Sequence, residues 1–191
     1  APEALKRQID LLAWHNINRL HIHLVDDEGW RIEIKSHPEL AEVGGFRGGD
    51  SPIRPVYGKL DEKYGGYYTQ DEIREVVAYA DSLHITVIPE IEMPGHSEEV
   101  LAVYPGLSCK GEPYSGGDFC IGNDATFEFL ENVLTEVMEL FPSEYIHIGG
   151  DEATKKGWAT CPKCRARMQR EGLKDLDELQ SYAVHRVEEF L

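Results

Sequence analysis

The chain has 191 residues, of which 41% are apolar and 28% are charged, and its formal net charge is −16. This apolar content is enough for a hydrophobic core, which excludes a chain that is disordered throughout. The acidic excess, with no Lys/Arg-rich run to offset it, argues against a nucleic-acid partner and against an anionic membrane surface. No stretch approaches the roughly 18 apolar residues of a membrane-spanning helix, and residues 1–3 lack the features of a secretory signal.

Helices and strands are predicted to alternate along the whole chain. In order, we expect a helix over 2–15, a strand over 19–25, a helix over 69–83, a strand over 85–91, a helix over 127–141, a strand over 145–148 and a helical region over 176–190. Thr69 and Glu72 form a capping-box pattern at the start of the second helix. Residues 36–66 and 97–123 are predicted loops. The order indicates one α/β domain over 1–191 with parallel strands and right-handed crossovers.

Each predicted strand ends in acidic or imidazole side chains. These are Asp26 and Asp27, then Glu92 and His96, then Asp151 and Glu152. The C-terminal ends of parallel strands lie on one side of a sheet, where α/β proteins bind their ligands. Acidic residues also cap the helices that follow strands, which is the competing explanation. Three such ends, two of them with glycines beside them, favour a functional site.

The tetrapeptide 149–152, Gly-Gly-Asp-Glu, is the sharpest local feature. The glycines leave room beside the backbone, and the adjacent carboxylates of Asp151 and Glu152 repel each other when both are ionised. We therefore expect one of the two pKa values to be raised. A carboxyl that stays protonated near neutral pH can act as a general acid. A glycine-rich turn before an acidic helix start is the alternative.

Three histidines on the predicted strands allow a second kind of chemistry. His21 and His23 face the same side of the first strand, and His147 on the third could complete a metal site. Packed histidines bonded to backbone or carboxylates are the commoner situation, so no metal is assigned. Glu90 and Glu92 share one face of their strand, and a buried Glu90 would have to be paired.

Aromatic side chains could stack on sugar rings, although the aromatic content is ordinary. The helical pattern places Trp14 in the core. Trp30 follows the first acidic strand end, and Trp158 lies just beyond 151–152. These positions make Trp158 a candidate substrate-binding residue.

The four cysteines have a spacing that allows three interpretations. Cys109 and Cys120 flank a glycine-rich loop, and Cys161 and Cys164 form a close pair. A zinc knuckle would need a second close pair, or a Cys/His pair, which the sequence does not supply. A bridge between Cys109 and Cys120 would restrict the loop and imply an oxidising compartment. Free thiols are equally compatible with the spacing.

Three stretches of this chain resemble glycoside hydrolase family 20, the β-N-acetylhexosaminidases. They are HIHLVDDEGWR at 21–31, VIPEIEMPGH at 87–96 and HIGGDE at 147–152. They occur in the family's order, and the resemblance runs through essentially the whole chain. It implies a segment of a (β/α)8 barrel, about strands 2 to 4 with flanking helices. The implied activity is removal of terminal β-linked N-acetylglucosamine or N-acetylgalactosamine.

The resemblance also implies roles for individual residues. Glu152 matches the general acid/base, and Asp151 matches the carboxylate that orients the substrate's own 2-acetamido group. That group, rather than an enzyme carboxylate, attacks the anomeric carbon and forms an oxazolinium intermediate. Asp26 and His96 match a network behind the acid. Glu92 stands where the family often has Asp, and we expect it to be supporting, as we do His147.

The chain departs from the family pattern at both ends. The earlier strand with a substrate-binding Arg is not in it, and neither are the later strands that wall the sugar pocket. We therefore expect residues 1–191 alone to show little or no turnover and, with open sheet edges, to be able to self-associate. No cofactor is implied, and the expected partner is an N-acetylhexosamine-containing glycan. Secretion or a periplasmic location is inferred from the cysteines and the resemblance together.

Two other functional classes stay open at this point. A metal-dependent barrel hydrolase would use His21 and His23 as ligands. A carbohydrate-binding module without turnover would keep aromatic contacts and tolerate loss of Glu152.

Overall fold

The computed structural model describes residues 2–53 and 61–191, and it has a mixed α/β architecture. Its helices are α1 (Pro2–Trp14), α2 (Glu39–Glu42), α3 (Gln70–Ser82), α4 (Glu98–Val103), α5 (Asp124–Leu140), α6 (Lys156–Thr160), α7 (Pro162–Glu171) and α8 (Leu176–Phe190), with a 3-10 turn at Pro105–Leu107. Its strands are β1 (Arg19–His23), β2 (Val25–Asp26), β3 (Gly29–Trp30), β4 (Phe46–Arg47), β5 (Tyr64–Gly65) and β6 (Thr86–Glu90). Within these two ranges, no helix combines the length and apolar content needed to cross a membrane.

The central sheet is parallel, as the sequence predicts. β1 pairs with β6 in a register that sets His23 opposite Glu90. The predicted third strand, 145–148, runs beside β6 but forms only a parallel bridge at His147. The His147 N–H donates to the Pro89 carbonyl, and the His147 carbonyl accepts from the Ile91 N–H, both at 2.9 Å. Gly149 and the residue after it have φ angles of +67° and +100°, so the extended conformation stops at 148.

Helices cover one face of this sheet and form the core. α1 packs on α3, α3 packs on β6 and α5, and α5 packs on α8. The capping box at the start of α3 is confirmed, because the Thr69 hydroxyl accepts from the Glu72 N–H and the Glu72 carboxylate accepts from the Thr69 N–H. The side chain of Ile9 in α1 is completely buried in this core.

The prediction that Trp14 lies in the core is wrong. Its side chain is 83% exposed at the end of α1. Trp14 follows the buried Ile9 by five residues, which turns it about 140° away around the helix axis.

The predicted loop over 36–66 contains regular structure in its described part. α2 leads into β4, which pairs with β5 in antiparallel fashion. Arg31, just after β3, fastens this segment because its guanidinium donates to the carbonyls of Gly45, Gly66 and Glu28. The rest of that predicted loop, residues 54–60, lies outside the described residues. The second predicted loop, 97–123, contains α4 and the 3-10 turn.

Candidate functional site

Three chain segments bring their polar ends to one edge of the sheet. β1 and β6 are parallel, and 145–148 runs in the same direction beside β6, so the residues that follow each segment meet. We call the resulting group the carboxylate edge. It consists of Asp26, Glu92, His96, Asp151 and Glu152. This confirms the expectation that the acidic ends of the strands share one side of the structure.

Glu152 is an exposed carboxylate of the edge, and His96 lies close to it. Its side chain is 78% exposed, and its Oε2 lies 3.2 Å from Nε2 of His96. Both residues have positive φ angles, +50° for Glu152 and +47° for His96, a conformation that non-glycine residues rarely adopt. Strain of this kind collects at functional sites, because the surrounding structure must hold it in place.

His96 lies between Glu152 and two further carboxylates. Its other nitrogen, Nδ1, is 3.7 Å from Asp26 Oδ1 and 3.8 Å from Glu92 Oε1. Burial lowers the pKa of His96, but the hydrogen bond to Glu152 and the charges of Asp26 and Glu92 outweigh it, so the pKa is raised. The imidazolium form is therefore favoured directly beside the proposed acid.

Glu92 is the buried carboxyl of the edge, with 4% of the residue exposed. Burial, then the neighbouring charges of Asp151 and Glu90, raise its pKa to about 7. Gly149 makes this position possible, since a Cβ at residue 149 would lie 1.8 Å from Glu92 Oε2. The sequence placed the raised pKa within the Asp151 and Glu152 pair, and that stays a prediction. In the structure, the edge carboxyl with a raised pKa is that of Glu92.

The three histidines of the sheet gather around Glu90, which is buried. His21 Nε2 and His23 Nδ1 lie 2.7 Å and 3.1 Å from Glu90 Oε2, and His147 Nδ1 lies 2.8 Å from Oε1. Glu90 is therefore paired, as a buried carboxylate must be. Each of His21, Glu90 and His147 offers one ligand atom, and these three atoms lie within 4.8 Å of one another. The group could therefore hold a metal ion. His147 belongs to this group and does not contact Glu152 in any described interaction.

Trp158 is not available for sugar stacking. It is completely buried, and its indole N–H donates to the Phe119 carbonyl at 2.8 Å. Trp30 is likewise buried, with its N–H bonded to the Ile32 carbonyl. The assignment of Trp158 as a substrate-binding residue is corrected, because a side chain with no exposed surface has a packing role.

Asp118 supports the edge and was missed by sequence reasoning. It is 7% exposed and accepts hydrogen bonds from the backbone N–H and hydroxyl of Thr154 and from the N–H of Lys155. It thus holds the chain just after Glu152. An aspartate inside a glycine-rich loop gives no local signal of a contact 36 residues away.

The Cys109 to Cys120 disulfide is not formed. All four cysteines are free thiols, and the sulfurs of Cys161 and Cys164 lie next to those of the other two. We call this group the cysteine cluster. The sequence supplies no second close pair, but folding brings Cys109 and Cys120 onto the 161–164 pair.

Comparison with known proteins identifies the family. The model of glycosyl hydrolase family 20, catalytic domain, matches residues 1–191. β-Hexosaminidases of Porphyromonas gingivalis and Vibrio furnissii are each 45% identical, with 99% of this chain covered. The alignments cover 24% and 32% of those proteins, so the chain spans a quarter to a third of their length.

Solved structures agree with this match. The family 20 exo-β-N-acetylglucosaminidase of Vibrio harveyi, in complex with N-acetylglucosamine, has a TM-score of 0.93 at 41% identity and is matched over 31% of its chain. The β-N-acetylhexosaminidase of Bacteroides fragilis has a TM-score of 0.86 at 40% identity and is matched over 36% of its chain. Both alignments cover all of the present chain. The chain belongs to glycosyl hydrolase family 20 and carries part of its catalytic domain.

Proposed function

We propose that the protein containing this chain is a glycosidase that removes terminal β-linked N-acetylglucosamine or N-acetylgalactosamine from a glycan. The observation that carries the proposal is the pairing of the exposed Glu152 with His96, 3.2 Å apart, with Asp151 next to it in the chain. Family membership and the N-acetylglucosamine in the related Vibrio harveyi structure support a hexosamine substrate.

The proposed reaction needs one proton donor and one carboxylate beside it. Glu152 protonates the glycosidic oxygen, while Asp151 accepts a hydrogen bond from the N–H of the sugar's 2-acetamido group. The acetamido oxygen attacks the anomeric carbon as the bond to the leaving group breaks, which gives an oxazolinium ion. Glu152 then removes a proton from a water molecule as its oxygen attacks the anomeric carbon. The bond from that carbon to the acetamido oxygen breaks, so the oxazolinium ring opens and the product keeps the original configuration.

His96 has a defined part in this scheme. Its raised pKa favours an imidazolium beside Glu152, which stabilises the carboxylate left after proton transfer. Asp26, 3.7 Å from the other ring nitrogen, supports that charge. We class His96 and Asp26 as positioning residues because they act on the substrate through Glu152.

We also propose that β1, β6 and 145–148 are the second to fourth strands of a (β/α)8 barrel. Their parallel direction and the reactive residues at their C-terminal ends support this. Residues 1–191 alone would then have an open sheet and an incomplete sugar pocket, so the fragment should turn over little or no substrate. A secreted or periplasmic location remains a prediction.

A chromogenic N-acetyl-β-glucosaminide assay on the full-length protein tests the proposed activity. Glu152→Gln should lower kcat by about 10² to 10⁴ because the proton donor is lost, with sugar binding retained. Glu139→Gln, on the exposed face of α5, is the matched control and should keep full activity.

Two results would refute the proposal. Unchanged hydrolysis in Glu152→Gln would remove Glu152 as the acid. Sugar binding by the wild type without any turnover would instead favour a carbohydrate-binding module.

A further inference from the structure

The cysteine cluster is built from three separate parts of the chain. Cys109 follows the 3-10 turn, Cys120 lies 11 residues later, and Cys161 and Cys164 stand at the first turn of α7. Cys120, Cys161 and Cys164 are buried, and Cys109 is partly buried. None of the four takes part in the proposed hydrolysis, so the convergence of all four needs its own explanation.

The distances between the sulfurs distinguish the possible bonds. Cys109 and Cys164 are 3.7 Å apart, Cys120 and Cys161 are 3.7 Å apart, and Cys120 and Cys164 are 3.8 Å apart. A disulfide needs sulfurs about 2.05 Å apart. Four thiolates placed tetrahedrally at about 2.3 Å from a zinc ion are about 3.8 Å from one another. The three distances match the tetrahedral edge, and all four sulfurs lie within 4.8 Å of one another.

The backbone around the cluster is packed so that the three segments can meet. A Cβ on Gly122 would lie 2.1 Å from the backbone carbon of Lys163, so a side chain there would push the loop away from α7. Cys161 is the N-cap of α7, and Cys164 lies within its first turn.

We propose that Cys109, Cys120, Cys161 and Cys164 together bind one Zn²⁺ ion. Binding replaces the thiol protons, which are released to solvent, and leaves a tetrahedral site made only of thiolates. With four protein ligands, the ion has no open position for substrate or water, which is the arrangement of a structural site. Tetrahedral sulfur sites also suit iron, so the identity of the metal is part of the test.

The position of the cluster shows what the ion would stabilise. It would join the 105–123 loop to α6 and α7, the helices that follow the carboxylate edge in the chain. The same loop carries Asp118, which holds Thr154 and Lys155 just beyond Glu152. A metal at the cysteines would therefore fix the loop on which the position of the proposed acid depends.

Metal content and ligation can be measured without any activity assay. We expect the full-length protein, purified under reducing conditions without chelator, to contain one zinc ion per chain. Inductively coupled plasma mass spectrometry measures this content. X-ray absorption at the zinc edge should show four sulfur neighbours at about 2.3 Å. Co²⁺ in place of zinc should give the visible bands of a tetrahedral thiolate site.

Variants locate the ion. Cys164→Ser and Cys161→Ser should lose the zinc on dialysis against a chelator that the wild type resists. Lys163→Ser, an exposed residue between them, is the matched control and should keep it. The double variant His21→Gln with His147→Gln should also keep it, which separates this site from the histidines around Glu90.

Three findings on the wild-type protein would each overturn the proposal, so the test does not depend on whether the variants fold. They are iron or no metal in the protein, disulfides detected as the loss of two hydrogen atoms per bridge, and nitrogen or oxygen neighbours around the zinc. The proposal does not rest on the hydrolase assignment, since none of these measurements involves a substrate.

Discussion

The carboxylate edge and the cysteine cluster are joined by the same stretch of chain, residues 151–164, but they are built in opposite ways. The edge is open, with Glu152 78% exposed, and it holds two non-glycine residues at positive φ. The cluster is closed, and three of its four members are buried. The difference separates two tasks, since a reactive carboxyl must face solvent and substrate, whereas a structural group is most effective away from both.

The two regions are also connected by hydrogen bonds. Asp118 sits two residues before Cys120 and bonds to Thr154 and Lys155, two and three residues after Glu152. Trp158 lies in the chain between the edge and the Cys161 and Cys164 pair, and its indole N–H donates to the Phe119 carbonyl. The edge can therefore keep a strained backbone because a packed, bonded layer follows it directly in the chain.

Glycine substitutions should disturb each region at its own packing contacts, with expected effects second only to loss of the proton donor Glu152. Gly149→Ala places a methyl group 1.8 Å from Glu92 Oε2 at a φ of +67°, which must move Glu92 and the residues against it. We expect hydrolysis to fall by about 10²-fold, since a displacement of about 1 Å can cost that much. Metal content should be unchanged. Measuring kcat and zinc content on the same preparation checks both expectations.

The companion variant Gly122→Ala should act first on the cysteine cluster, and on hydrolysis only through the loop that carries Asp118. Its methyl group would overlap the backbone at Lys163, so the loop and α7 must separate. We expect loss of the zinc and about 1 to 3 kcal/mol of unfolding free energy, the usual cost of overpacking. Gly106→Ala, where a Cβ meets nothing within 4 Å, is the control. If both glycine variants lost metal and activity together, the two regions would have to be treated as one.

The ionisation of Glu92 should give the edge a pH-dependent stability of its own. The folded chain holds the Glu92 proton up to about pH 7, whereas the unfolded chain releases it near 4.5. The contribution is therefore complete below about pH 4.5 and is lost as the pH rises to about 7. At about 1.4 kcal/mol per pKa unit, the loss is on the order of 3 kcal/mol.

Urea unfolding at a series of pH values measures this effect. Glu92→Gln should flatten that part of the profile, because an amide does not titrate. The isosteric change keeps the packing against Gly149, while Glu139→Gln on α5 should leave the wild-type profile intact. An identical slope in Glu92→Gln would show that another group carries the pH dependence.

The edge could be predicted from sequence because each of its parts is local. Asp26, His96 and Glu152 each follow a short apolar strand within a few residues, and parallel topology brings such ends together without further information. The capping box at Thr69 was predictable for the same reason, since its two hydrogen bonds join residues three apart.

The cysteine cluster could not be predicted in this way. Its contacts join residues 41 to 55 apart, and the spacing of Cys109 and Cys120 is not that of a metal-binding pair. The local spacing is compatible with a disulfide or with free thiols, but it gives no sign of a site assembled from both pairs of cysteines. If these cysteines bind zinc, they no longer indicate an oxidising compartment, and the predicted location rests on the family resemblance alone.

The burial of Trp158 also depends on distant contacts, and replacing it should have the smallest of these effects. Trp158→Phe keeps most of the packing but removes the N–H donated to Phe119, leaving that carbonyl unsatisfied. We expect a loss of about 1 kcal/mol in unfolding free energy, with KM and zinc content unchanged. Trp14→Phe, at the exposed end of α1, should leave stability unaltered and serves as the control. A raised KM in Trp158→Phe with normal stability would restore the sugar-stacking assignment and would mean that the indole leaves its buried position when substrate binds.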